Sequence, residues 1–178
     1  MHDGPDTTRT ANLLGATALA VTDLAITGSA RAVGLSTSAA AALVILSTAP
    51  GPSVSDLGRR IGLSQPAAAR MVASMESTGL VRRAPGAGRE VSVHPTPDGE
   101  RTAAALLAAR ESALRRLVAA LDPDAQQALA AALGTLLTEL HGEVGSAELL
   151  CRMCDRACCV DGAVCPVGQA QRDSLRGS

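Results

Sequence analysis

The sequence contains no phenylalanine, tyrosine or tryptophan, and that absence constrains the fold more than any other feature. Apolar residues still make up 47% of the 178 residues, enough for one domain or one domain with an appendage. Ala and Leu dominate, and both are strong helix formers. A core built from such short side chains requires helices that pack closely. The expected fold class is therefore mainly α.

The net charge of −1 does not by itself point to a polyanionic partner. Its distribution does. Every basic side chain is arginine, and Arg59 to Arg89 holds six arginines and one acid, Glu76, a local balance of +5. A basic segment in a near-neutral chain is an electrostatic footprint for nucleic acid. The opening "MHDGPDTTRT" is acidic and polar, unlike the basic start of a signal peptide. The run "SAAAALVILSTA" is too short to span a bilayer. A cytoplasmic location with no membrane partner is expected. Cytosolic thiols stay reduced, so clustered cysteines there point to metal or redox chemistry rather than structural disulfides.

Residues 1–9 are expected to be disordered. From Thr10 to about Arg31, Leu13, Leu14, Ala18, Val21, Leu24 and Ala25 recur at helical spacing, and Gly34 breaks the run. Ser36 caps a second helix that ends at "APGP". The stretch "SVSDLGRRIGLSQPAAARMVASMESTGLV" carries most of the information. Ser53 is an N-cap and Asp56 lies in the first turn, where negative charge is favoured. Gly62 ends that helix in the left-handed conformation. Ser64 caps the next helix, and Pro66 is tolerated in its first turn. Ala68, Met71, Val72 and Met75 form the buried stripe of that helix. Gln65, Pro66, Ala69, Arg70 and Ala73 lie on the opposite side. Two short helices joined by a tight glycine-containing turn form a helix-turn-helix.

After Gly79 the period changes to two. "LVRRAPGAGREVSVHP" reads as a β-hairpin, with Arg82 and Arg83 at its base and Arg89 near its tip. A helix-turn-helix followed by a basic hairpin is a winged helix, an α+β unit within a mainly α chain. Thr96 then caps a long helix with Pro97 at its first position. Asp122 and Pro123 restart another, lined by Leu129, Leu133, Leu136, Leu137 and Leu140. These helices are more apolar than one small winged helix can use, and the surplus predicts packing against a second copy of the chain.

Over roughly residues 10–142 the chain resembles the MarR family of transcriptional regulators. The resemblance rests on "GLSQPAAARMVASMESTGLVRR" followed by Arg89, Val93, Thr96 and Gly99, together with the order of the helices. It departs from the family pattern at Ala87, at Pro95, and at Ala67 and Ala69 of the second helix. The resemblance implies a winged helix-turn-helix with N- and C-terminal dimerisation helices, working as a homodimer. Such a dimer binds a pseudo-palindromic operator in double-stranded DNA, usually as a repressor, and often takes a small-molecule effector. Its two recognition helices enter successive major grooves about 34 Å apart. Ser64, Gln65 and Arg70 would face the groove, flanked by Pro66 and Ala69. Gln pairs bidentately with adenine and Arg with guanine. Arg89 would reach the minor groove or phosphates, and Arg59, Arg82 and Arg83 the backbone. No catalytic constellation accompanies these residues, and His2, His94 and His141 fall in different elements, His94 on the solvent side of the wing.

All five cysteines lie between Cys151 and Cys165, in the pattern C-x2-C-x3-C-C-x5-C-P. Four thiolates within so short a stretch can enclose one metal centre. Cys151, Cys154, Cys159 and Cys165 are the expected ligands, with Cys158 as a substitute, because side chains of adjacent cysteines diverge. Arg152 and Arg156 would offset the thiolate charge, and His141 is a further candidate ligand. Zinc and an iron–sulfur cluster both remain open, as does a metal-free thiol switch. The domain organisation read from the chain is a disordered 1–9, a winged-helix domain at 10–145 with its DNA-binding lobe at about 36–96, and a cysteine-rich tail at 146–178. The tail would lie at the base of the dimerisation helices. The competing functions are an electron-transfer protein working through the tail and a winged-helix adaptor for other proteins.

Overall fold

The computed structural model describes residues 6–86 and 91–176. Helix α1 (Thr7–Val21) is capped by Asp6, whose carboxylate accepts from the Thr8 and Arg9 backbone N–H groups. Residues 7–9, expected to be disordered, thus form its first turn, because that cap satisfies backbone donors a helix start leaves open. A π-helical segment (Thr22–Thr27) joins α1 to α2 (Gly28–Ala32). The Ser29 hydroxyl donates to the Ala25 carbonyl at 2.6 Å within this join. The result is one continuous helix, Thr7–Ala32, which by length and composition is long and apolar enough to cross a membrane. This corrects the expectation that no segment reaches spanning length: two apolar stretches flanking Asp23 become one rod. Along it Leu13, Leu14, Leu19 and Leu24 are all exposed.

The core is assembled around α3 (Thr37–Thr48), where Ala39, Ala40, Ala41, Ala42, Leu43, Val44 and Leu46 are all buried. A helix buried on nearly every side must be met by small residues, and its run of alanines lets the neighbouring backbones approach. Against it pack α4 (Val54–Ile61), α5 (Gln65–Ser77) and α6 (Pro97–Val118). Leu57, Val72, Met75, Val81, Val93 and Leu106 join this cluster. An aromatic-free core is thus achieved by helix packing, as composition requires.

Strands β1 (Val81–Pro85) and β2 (Val91–Pro95) pair antiparallel, with Arg83 opposite Val93. The Gly51 N–H donates to the Val93 carbonyl and the Val93 N–H to the Pro52 carbonyl, both at 2.9 Å, so residues 51–53 form a short third edge of the wing. Thr96 locks the wing to α6: its hydroxyl donates to the Gly79 carbonyl at 2.6 Å and accepts from the Gly99 N–H at 3.1 Å. Gly99 permits that junction, since a Cβ there would lie 2.0 Å from the Leu80 carbonyl oxygen. Gly99→Ala is accordingly expected to destabilise the fold by about 3 kcal/mol, through forced backbone displacement, measurable as a lowered urea midpoint.

Helix α7 (Pro123–Val144), capped by Asp122, runs to Gly145. Beyond it the tail is folded rather than extended. It forms α8 (Ala147–Leu150), α9 (Arg156–Val160) and α10 (Pro166–Arg176). Met153 and Val167 are buried, and α10 lies along α7 while α8 reaches α4. The tail thus packs along α7, the last of the expected dimerisation helices, and through α8 it also reaches α4 of the helix-turn-helix. The buried Met153, within the cysteine run, and Val167, just past it, anchor the tail there.

Candidate functional site

The helix-turn-helix is built from α4 and α5. Ser53 accepts from the Asp56 N–H at 3.2 Å, starting α4, and Gly62 ends it at φ 75°. Ser64 occupies the N-cap position of α5, yet its hydroxyl makes no capping hydrogen bond. That leaves it available to an outside partner. Ala68, Val72 and Met75 are buried, whereas Ser64, Gln65, Pro66, Ala69, Arg70 and Ala73 are exposed on one face. The helix makes the division read from periodicity, except that Met71, expected in the buried stripe, is only half-buried.

The arginines separate into two groups. Arg70 and Arg82 are exposed and have no acidic partner among the described residues. Arg59 pairs with Asp56, although its side chain remains 73% exposed. Arg83 lies 3.5 Å from the Glu76 carboxylate, which also accepts from the Arg83 backbone N–H and so ties β1 to α5. Both are held at the surface by weak ion pairs that a phosphate can replace. Arg89 lies outside the described residues. Arg60 turns away from the exposed face and bridges Asp56 at 2.8 Å and Glu148 of the tail at 3.4 Å. His94 is half-buried, its Nε2 3.0 Å from the Ser92 hydroxyl, rather than free on the wing surface as sequence predicts. It packs under the wing edge, close against Gly51.

The second constellation is the thiol cluster. Cys151, Cys154, Cys159 and Cys165 line one cavity of about 350 Å3 between the tail and the α3–α4 face. The Cys151 thiol hydrogen-bonds to Cys154, which draws Cys154 down to about 6 and pushes Cys151 up. Burial opposes ionisation of Cys154, while the Arg110 guanidinium and a hydrogen bond from Cys159 favour it. Burial and the neighbouring thiolate raise Cys159. Cys158 departs from the group: it is exposed and its thiol donates to the Asp155 carboxylate at 3.3 Å, which raises it. The four expected ligands are thus brought to one cavity and the substitute is not. His141 is buried against Gln171, 3.2 Å from its side-chain oxygen, rather than among the thiols. Among the described residues no three Cys, His, Asp or Glu side chains already stand as a ready single-ion site. Arg60, Arg152, Arg156 and Arg172 line the same cavity. The Nε atoms of Arg60 and Arg110 are buried without a hydrogen-bond partner. Sequence reasoning missed Arg60, Arg110 and Arg172, because their approach to the cysteines depends on how the tail folds back.

The MarR family model matches residues 33–90. Among solved structures, RV1404 from Mycobacterium tuberculosis is 24% identical over 78% of this chain and 96% of its own, with a TM-score of 0.65. MepR, a transcription regulator of the Staphylococcus aureus multidrug efflux pump MepA, is 17% identical over 73% and 97%, also at 0.65. The Mycobacterium tuberculosis MarR family protein RV2887 in complex with p-aminosalicylic acid is 23% identical over 71% and 96%, at 0.56. There is no match among curated protein sequences. The fold is shared along nearly the whole length of these structures, and more than a fifth of this chain lies outside each of them. The stretch that resembles the MarR family model, residues 33–90, is the one that holds the exposed face of α5 and the arginine-rich segment.

Proposed function

We propose that this chain is a sequence-specific DNA-binding repressor, not an enzyme, that grips a pseudo-palindromic operator as a homodimer. One observation carries the reading. Ser64, Gln65 and Arg70 lie on one exposed face of α5, and Arg70 and the nearby Arg82 have no acid among the described residues to neutralise them. A polyanion supplies what these two guanidiniums lack. The homodimer accounts for the exposed leucines of α1, α6 and α7, which a lone protomer leaves in water. A small-molecule effector and a cytoplasmic location belong to the same reading, as does a response to metal or redox state through the cysteines. A protein–protein adaptor would leave the arginine cluster without a role.

Titrated gel shifts test the assignment. Arg70→Ala is expected to cost about 1–3 kcal/mol and to relax preference at one base pair, since it removes a base contact. Arg82→Ala should weaken all sequences alike and reduce the salt slope by about 1, since it removes a phosphate contact. If neither substitution alters binding, the face is assigned wrongly.

A further inference from the structure

We propose that Cys151, Cys154, Cys159 and Cys165 hold an iron–sulfur cluster in the cavity between the tail and the α3–α4 face. This deepens the metal- or redox-responsive part of the function proposed above, and it stands on the tail's own geometry. The four thiols come from four different places: the end of α8, the following turn, α9, and the residue before α10. Separate elements converging on one cavity is the arrangement of a ligand set, not of a chance run of cysteines. Cys165 is fixed in place, its sulfur accepting from the Gly168 N–H at 3.4 Å. The adjacent Cys158 points outward to Asp155, so the chain selects four of its five cysteines.

The cavity has room for a cluster. Four thiolates around zinc close at about 2.3 Å and leave no interior space. Here the four cysteines line a cleft of about 350 Å3. A body larger than one ion fits.

The charge of that body follows from the arginines. Burying a guanidinium Nε without a hydrogen-bond partner is costly, yet Arg60 and Arg110 each do so beside the thiols. Arg152, Arg156 and Arg172 add further positive charge around the cavity. A doubly positive iron–sulfide core bound by four thiolates carries a net charge of about −2. On binding, the four thiols release their protons to solvent and each sulfur forms one bond to iron. No electron is transferred in that step. An anionic cluster then lies beside the two unpartnered Nε atoms, which can donate to cluster sulfur while the other nitrogens of Arg60 keep Asp56 and Glu148.

The test uses the full chain, expressed with added iron and purified without oxygen. Iron, acid-labile sulfide and zinc are quantified, and the visible spectrum is recorded before and after dithionite. The expected result is about two to four irons with matching sulfide per chain, and a visible band that bleaches upon reduction. Cys154→Ser and Cys165→Ser should lose the iron while Cys158→Ser keeps it. Circular dichroism establishes that each variant is folded, and reconstitution of the wild-type chain with ferrous iron and sulfide gives a second readout that needs no substitution. Colourless protein with one zinc per chain, protein that takes up no metal under reconstitution, or loss of iron in Cys158→Ser would each overturn the assignment. None of these readouts involves DNA, so failure of the cluster is distinct from failure of the repressor reading.

Discussion

Leu136→Glu separates the proposed dimer into monomers and lowers operator affinity by about 10²–10⁴, the loss expected when two linked half-site contacts become independent. The argument begins with spacing. Leu133, Leu136, Leu140 and Val144 recur at steps of three and four along α7, so they share one face of the helix. All four are exposed in the protomer, at 44%, 39%, 44% and 39%. Leu117, Val118 and Leu121 near the end of α6, and Leu13 and Leu14 on α1, add apolar surface with nothing on it. A second copy buries such a stripe by twofold symmetry, and each leucine then serves twice. A carboxylate at the centre of that interface is left without a partner, which costs several kcal/mol. In the protomer the same side chain faces water, so folding should be unaffected. Light scattering at matched concentrations reads the separation, and a gel shift on a two-half-site operator reads the affinity. A variant that stays dimeric would remove α7 from the interface.

Much of this architecture is written locally in the sequence. The caps at Ser53, Thr96 and Asp122, the left-handed Gly62 and the alternation in the wing each act within a few residues, so pattern alone locates them. The exposed face of α5 follows from one buried stripe at helical spacing. What stayed hidden depends on contacts distant along the chain. Met153, between Cys151 and Cys154, and Val167, just past Cys165, bury themselves and fold the tail back, but two isolated buried residues carry no periodic signal. Arg60 is counted in the basic segment by sequence alone, whereas Glu148, 88 positions later, recruits it into the tail interface. The fused helix Thr7–Ala32 was hidden for a related reason: Asp23 interrupts its apolar run, and the π turn that carries the helix past it has no sequence signature. The four thiols were legible as a set because adjacent cysteines diverge, while the cavity they surround was not.

Loss of the centre from the cysteine cavity is expected to weaken operator binding by about tenfold, within the range of about 5–150-fold spanned by typical coupling energies. The coupling has a physical route. Arg60 of α4 pairs with Glu148 of α8. Leu149 packs on the turn itself, its Cδ1 3.3 Å from where a Cβ on Gly62 would stand. That turn sets the angle at which α5 leaves α4, and therefore the placement of Gln65 and Arg70 against a groove. With the four thiols joined to one body, α8 is fixed and braces the turn. With the thiols free, residues 151–165 have few buried apolar groups to order them, and the brace loosens. Linkage is reciprocal, so operator DNA should in turn slow loss of the centre to a chelator. Anisotropy titrations under anaerobic conditions, with the centre present and after its removal, measure the difference. Leu149→Ala removes the contact with the turn while leaving all four cysteines in place. It should keep its metal content yet bring the two affinities together. Equal affinities in the wild-type chain with and without the centre would exclude transmission through this contact, and a persistent difference in Leu149→Ala would move the route elsewhere, to the Arg60–Glu148 pair or to α10 along α7.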